Sequence, residues 1–292
     1  MSWRVVVVSS AAKLDYKMDY LIVRNTNGIS RVHLSEIAVL MIESTAVSLT
    51  AYLLSELARF RINVIFCDER RDPQGMYMPF YGSHDTSLKI RSQISWDPYI
   101  KGEVWAQIVR AKIKGQARVL KDNAKRQASL LDFYIEQIEH DDATNREGFA
   151  AKVYFNALFG RDFSRSEGGF INSALNYGYM VMLSAVSRAV VSNGYATQIG
   201  IHHDNVYNEF NLSCDLVEPL RPFVDAAVLE LEEGVELTKE DKLKLVDVLN
   251  RRVKISERSQ YLINAMNIYI KSVFDALLLE DVSLIKWVEY EL

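Results

Sequence analysis

Three short stretches of this 292-residue chain carry side chains able to bind a divalent metal. Glu147 follows Thr144-Asn145-Arg146 and precedes Gly148-Phe149-Ala150-Ala151. His202 and His203 stand in Gly200-Ile201-His202-His203-Asp204-Asn205. Asp215 and Glu218 lie in Cys214-Asp215-Leu216-Val217-Glu218-Pro219-Leu220-Arg221-Pro222. Glu147, His203 and Glu218 together supply two carboxylates and one imidazole, a donor set suited to a metal that handles phosphate.

Each of these residues also has an ordinary structural reading. Thr144 to Glu147 has the spacing of a capping box, in which the glutamate bonds back to the cap. Gly148 argues the other way, because a glycine in a first turn costs stability and lets another group come close. A histidine is most often at the surface or satisfied in a core, so His202 and His203 both stay open. Asp215 and Glu218, three apart, share a helix face and suit a first turn after a Ser213 cap. Glu218 fits that role less well, because Pro219 and Pro222 each remove a backbone donor from a helical stretch, at about 3 kcal/mol in a helix interior. A distorted backbone that aims the carboxylate is the better account. Arg221 either orients Glu218 or touches a phosphate.

These elements, in this order, resemble the CRISPR adaptation integrases, the catalytic subunit of the complex that inserts new spacers. The shared pattern is Glu147-Gly148 near a helix start with small residues and an aromatic pair, Tyr154-Phe155, behind it. A long helix follows, entered through Phe170-Ile171-Asn172-Ser173-Ala174-Leu175-Asn176-Tyr177. Then come Gly200-Ile201-His202-His203 and the Asp-Leu-x-Glu-Pro-x-Arg-Pro run from Asp215 to Pro222. The resemblance extends through the N-terminal third. It implies Glu147, His203 and Glu218 as catalytic metal ligands for Mg²⁺ or Mn²⁺, with His203 rather than His202 in the family's histidine position. His202 stands where the family has an apolar residue. Asp215 is then a supporting residue or an alternate ligand.

The resemblance further implies attack by the 3′-hydroxyl of an incoming double-stranded DNA end on a phosphodiester at the CRISPR repeat. It implies a homodimer bridged by a small ferredoxin-like partner subunit. Alternatives from other classes are a metal-dependent nuclease acting on branched or single-stranded DNA and a non-catalytic DNA-binding scaffold. A third is a His-Asp phosphohydrolase, from the dipeptides His140-Asp141 and His203-Asp204.

The elements that position these residues divide into a β-rich part and a helical part. Residues 3–9 are valine-heavy, residues 14–23 and 29–33 read as strands around an Asn27-Gly28 turn, and residues 38–42 and 63–67 follow. Between them, residues 45–61 recur at helical spacing. Asp72 to Gly75 reads as a turn and residues 76–81 as a last strand. Helical periods then run over 103–137, 170–192, from Thr238 onward and 259–279. The expected fold is α+β: a small N-terminal β-sandwich-like domain with one helix over 1–85, a linker over 86–100 holding one short helix, and a larger all-α catalytic domain over 101–292.

The net charge of −4 does not mark a nucleic-acid binder, but its distribution is uneven. Lys101, Arg110, Lys112, Lys114, Arg118, Lys121, Lys125 and Arg126 face only Glu103 and Asp122 within their stretch. Lys114, Arg118, Lys121 and Lys125, with Arg146 and Arg221, are the candidate DNA contacts. Cys67 and Cys214 sit among apolar neighbours as expected buried thiols, which argues against a disulfide framework or a zinc motif. The valines after Arg4 are too few for a signal peptide, and no apolar run is read as membrane-spanning, so a cytoplasmic protein is expected.

Overall fold

The computed structural model describes residues 4–77 and 83–290. The expected strand over 76–81 therefore lies partly outside the described residues. Two four-stranded sheets form from β1 (Arg4–Val8), β2 (Ala12–Lys17), β3 (Tyr20–Asn25), β4 (Gly28–His33), β5 (Ile37–Ile42), β6 (Val47–Leu49), β7 (Asn63–Cys67) and β8 (Pro73–Tyr77). One sheet has the order β1-β5-β7-β8 and the other β4-β3-β2-β6. β3 and β4 pair as a hairpin, with Asn25 opposite Gly28. Helix α1 (Ala51–Arg59) starts at Thr50, whose hydroxyl accepts from Leu53 N. Two expectations change here. Residues 47–49 form a strand paired with β2 ahead of the helix, and Pro73 to Gly75 belong to β8 rather than to a turn.

β5 is buried along its whole length and runs parallel to both β1 and β7. Successive side chains of a strand point to opposite faces. Leu40 and Ile42 accordingly pack with Leu53, Leu57 and Val64 inside the sandwich, while Val39 and Met41 join Ile65 and Cys67 in the core of the helical part.

That part is built from α2 (Thr86–Ile94), α3 (Pro98–Asp122), α4 (Ala128–Glu136), α5 (Arg146–Phe159), α6 (Phe170–Ser192), α7 (Asn211–Val217), α8 (Arg221–Val228), α9 (Lys239–Asp247) and α10 (Leu262–Leu279). Pro98 opens α3 behind an Asp97 cap that accepts from Tyr99 N and Ile100 N at 2.9 and 3.0 Å. The helix runs straight through Gly115. The period expected over 103–137 is divided at Asn123 and Ala124, the latter with φ 53°. The Thr238–Asp241 capping box is present at the start of α9.

The C-terminal part is not all-α. β9 (Arg252–Ile255), β10 (Arg258–Tyr261) and β11 (Glu289–Tyr290) form a small antiparallel sheet in the order β10-β9-β11. Short strands of two to four residues give little periodic signal, and β11 pairs with a strand far back in the chain. α10 is long and apolar enough to cross a bilayer, against the expectation that no run would be, but 61% of it is buried inside the structure. Its Met266, Ile270, Val273 and Leu277 belong to the central core.

Candidate active site

His203 arrives on the loop between α6 and α7, and one carboxylate shapes that loop. Asp215, wholly buried on α7, accepts from Ile201 N at 2.6 Å, His202 N at 3.2 Å and His203 N at 3.1 Å. Its Oδ1 also takes the His203 Nδ1–H at 2.6 Å. Both Asp215 oxygens are thereby engaged, and the His203 Nε2 is left as the ring's free donor atom. This hydrogen bond raises the His203 pKa, against the opposing effect of burial and with help from the charges of Asp215, Glu218 and Glu147. Gly200 permits the close approach, since a Cβ there would lie 2.2 Å from His203 O and 2.8 Å from Asp215 Oδ2.

Glu147 sits in the first turn of α5. The capping residue is Asn145, whose side chain accepts from Gly148 N at 3.2 Å, so the expected Thr144–Glu147 box does not form. Buried Asp142 adds a second cap, accepting from Arg146 N and Glu147 N, both at 2.9 Å. Gly148 makes room for Asn145, because a Cβ would meet that side chain at 2.8 Å. The Glu147 carboxylate is thus left out of the capping and points to Lys112 Nζ at 2.5 Å.

Glu218 begins a short 3-10 turn, Glu218–Leu220, between α7 and α8. Pro219 lies in that turn and Pro222 in the first turn of α8, so the two prolines mark a break between helices. Ser213 is not a cap; it lies within α7 and accepts from the Ser187 hydroxyl at 3.0 Å. Glu218 is 4% exposed. Its Oε1 accepts from Arg221 Nε at 2.8 Å, and its Oε2 abuts the Lys112 ammonium without a hydrogen bond of good geometry. Burial favours the neutral acid, but Lys112 and Arg221 outweigh it and hold the pKa at about 2.

Among the described residues no three His, Cys, Asp or Glu side chains close into a preformed metal cluster. What the structure brings together is Glu147 and Glu218 around one cationic point, with His203 close enough to feel both charges. Two carboxylates meeting at a single positive charge, one of them buried, fit a divalent cation in charge and in chemistry.

Two aromatic contacts frame the histidines. The Trp105 ring, on α3, stacks on His202 at 4.4 Å and meets His203 edge-on at 5.6 Å. His202 Nδ1 bonds Asp141 at 2.9 Å, so this residue presents a flat face to the tryptophan and adds a tether. The His-Asp alternative finds no support: His203-Asp204 lies in a loop, and His140 stacks on Tyr99 at 4.7 Å while bonding its carbonyl.

The candidate DNA contacts separate. Lys114 is exposed and lines, with Arg110 and Arg118, a groove of about 480 Å³ that also carries Trp287 and Tyr290. Arg118 pairs with Asp122 and Lys121 with Asp132, each at 2.9 Å, so acidic neighbours offset part of the expected basic excess. Lys125 follows the end of α3 and is half-buried. The Arg146 guanidinium lies 5.8 Å from the Tyr134 ring and 5.7 Å from that of Phe149. Arg221 is drawn inward onto Glu218 and over the Tyr179 ring at 4.6 Å.

The sequence places Lys112 in a basic run and leaves Trp105 unremarked within the helical period over 103–137. The signal for Lys112 was its place on the apolar stripe Trp105, Ile108, Val109, Ile113, where a lysine needs a partner. Asp225 was also missed: fully buried, it accepts from Tyr154 at 3.0 Å and from Tyr179, and burial raises its pKa to about 6.

The chain resembles known proteins over nearly its whole length. It is 34% identical over 263 residues to a protein named CRISPR-associated endonuclease Cas1 from Neisseria meningitidis serogroup C (strain 8013), covering 88% of this chain and 86% of that one. A solved structure of a casposase bound to integration product superposes with a TM-score of 0.77 at 17% identity, covering 97% of this chain and 92% of that one. A chain of a Cas6-RT-Cas1–Cas2 complex gives 0.72 at 17% identity, covering 97% of this chain and 36% of that longer one. At such identities the structures establish the shared fold. Residues 5–250 match the family described as CRISPR associated protein Cas1, and the chain belongs to that family.

Proposed function

We propose that this protein is a metal-dependent DNA integrase of CRISPR adaptation, which joins 3′-hydroxyl ends of double-stranded prespacer DNA to the CRISPR repeat by transesterification. The observation that carries the reading is the convergence of Glu147 and Glu218 on one cationic point beside a histidine fixed by a buried carboxylate. Glu147, Glu218 and the His203 Nε2 would hold Mg²⁺ or Mn²⁺. The chemistry such an ion would supply there is polarisation of the scissile phosphate and stabilisation of charge on its oxygens.

The chain's own residues prepare this. Asp215 fixes the His203 tautomer and ring orientation, and Asp142 fixes the backbone from which Glu147 projects. Arg221 holds Glu218 from the side away from Lys112. Lys114 and Arg118, in the aromatic-lined groove, would contact the DNA backbone, with Arg146 at the start of α5. Lys121 and Lys125 would add contacts outside that groove.

Residues 1–85 are assigned to pairing two copies of the chain and residues 101–292 to the chemistry, with 86–100 between them. The likeness to a chain of a Cas1–Cas2 complex supports a small partner subunit bridging dimers, and the casposase bound to integration product supports DNA joining. The relative named an endonuclease supports a second outcome, hydrolysis of branched or single-stranded DNA when water replaces the 3′-hydroxyl.

The test is strand joining by the purified protein with its partner subunit, a short duplex and a plasmid carrying a CRISPR repeat. Mn²⁺ reactions are compared with chelator and with Glu147→Ala. Metal-dependent joining at the repeat edge, absent in the variant, is the expected result. Cutting without joining selects the hydrolytic reading, and metal-independent joining refutes the site.

A further inference from the structure

Lys112 sits on the buried stripe of α3 between Val109 and Ile113, where an unpaired cation is strongly disfavoured. Its partners come from two other elements: Glu147 from α5, at 2.5 Å, and Glu218 from the turn before α8. The place where the two acidic donors of the site meet is therefore held by a side-chain ammonium. Beside it lies a cavity of about 220 Å³ bordered by Lys112, Gln116, Asp225 and Glu218 itself, with Arg165 and Arg221 on its wall. Gln116, one turn further along α3, carries a buried Oε1 with no hydrogen-bond partner. A lysine stem of four methylenes has the freedom to move its charge between neighbouring acceptors.

We propose that Lys112 is a positioning residue with two stations: without metal its ammonium holds the Glu147 and Glu218 carboxylates together in the metal's place, and when a divalent cation binds it withdraws into the adjoining cavity toward Gln116. This rests on the reading of Glu147, His203 and Glu218 as metal ligands. Without the ammonium the two carboxylates would repel and separate, so Lys112 keeps the donors assembled. The same contact makes it a competitor, and entry of the metal requires its departure. The orphaned Gln116 oxygen gives the displaced charge a partner, which keeps the displaced state accessible.

The test is calorimetric titration of the full chain with Mn²⁺, paired with thermal unfolding in chelator and in Mn²⁺. Lys112→Met is expected to bind Mn²⁺ at least tenfold more tightly than the unsubstituted protein. It should unfold at a lower temperature in chelator and gain more from Mn²⁺. Lys112→Arg, which keeps the charge, should bind no more tightly than the parent. Gln116→Leu should weaken Mn²⁺ binding several-fold when Lys112 is present and leave it unchanged in the Lys112→Met background. Equal or weaker affinity in Lys112→Met overturns the competition, and an equal Gln116→Leu effect in both backgrounds overturns the second station. If Lys112→Met does not fold in chelator, recovery on adding Mn²⁺ supports the exchange of one cation for the other, and no recovery counts against it. Glu218→Gln separates the two readings. If it abolishes Mn²⁺ binding while Lys112→Met leaves affinity unchanged, only the lysine inference falls. If Mn²⁺ binds equally with and without Glu218→Gln, the ligand assignment fails and the inference with it.

Discussion

His203 and Glu218 face the same site, but they are held in different ways. The His203 loop is fastened by three backbone N–H groups and one ring N–H to Asp215, all within 3.2 Å. Glu218 is held by two cations, Arg221 and Lys112, with one oxygen lacking a hydrogen bond. Backbone hydrogen bonds to a buried carboxylate are directional and little affected by ions in solution. A carboxylate held by charge can exchange one cation for another. The contrast teaches that the histidine is fixed by directional backbone donors, while the acidic side is fixed by charge.

The contrast breaks most directly at Asp215. Asp215→Ala strands one buried and two part-buried backbone donors and the ring, at about 1–3 kcal/mol for each group left unsatisfied. Urea denaturation should show a loss of at least about 4 kcal/mol, and a loss below about 1 kcal/mol would mean the loop has other anchors.

Glu218→Gln comes next, and pH sharpens it. Because the Glu218 pKa falls from 4.5 to about 2 on folding, its contribution is complete above 4.5 and disappears as pH falls through about 2. At 1.36 kcal/mol per unit that is on the order of 3 kcal/mol. Stability measured from pH 5 down to pH 2 should therefore fall less steeply in the variant. Identical slopes would show that the two cations do not hold this carboxylate.

Asp225 gives a smaller effect of opposite sign. Its pKa rises from 3.8 to about 6, so the folded state binds the proton more tightly and stability declines as pH rises through that window. Asp225→Asn should flatten the decline. A slope unchanged in the variant would assign it to another group. The smallest effect is expected at the partly exposed His202–Asp141 pair, where Asp141→Ala should cost under about 1 kcal/mol in the same denaturation assay. A larger cost would show that the His203 loop depends on this tether as well as on Asp215.

Much of this was legible in the chain. The span of α6 follows from its apolar period and the Asn193-Gly194 stop, and the start of α9 from its capping box. β6 was hidden because Val47 and Leu49 continue the apolar spacing of α1. The division of α3 from α4 was hidden because Ala124, an ordinary helix former, takes a left-handed conformation at the break. At the site, Glu147 and Glu218 could be singled out from Gly148 and the prolines, although Gly148 serves Asn145 rather than a ligand. Lys112 and Asp142 were not legible as site residues, because their roles exist only once α3, α5 and the turn before α8 are docked.

β5 carries a consequence for how the chain can change over evolutionary time. From Val39 to Ile42 its odd and even residues belong to different cores, and its neighbours β1 and β7 run parallel to it. Inserting or deleting one residue there would exchange the two sets of side chains and misfit both interiors together. Insertions can accumulate at hairpin tips such as Asn25 to Gly28, whereas the length of β5 should be nearly invariant among descendants of this sequence.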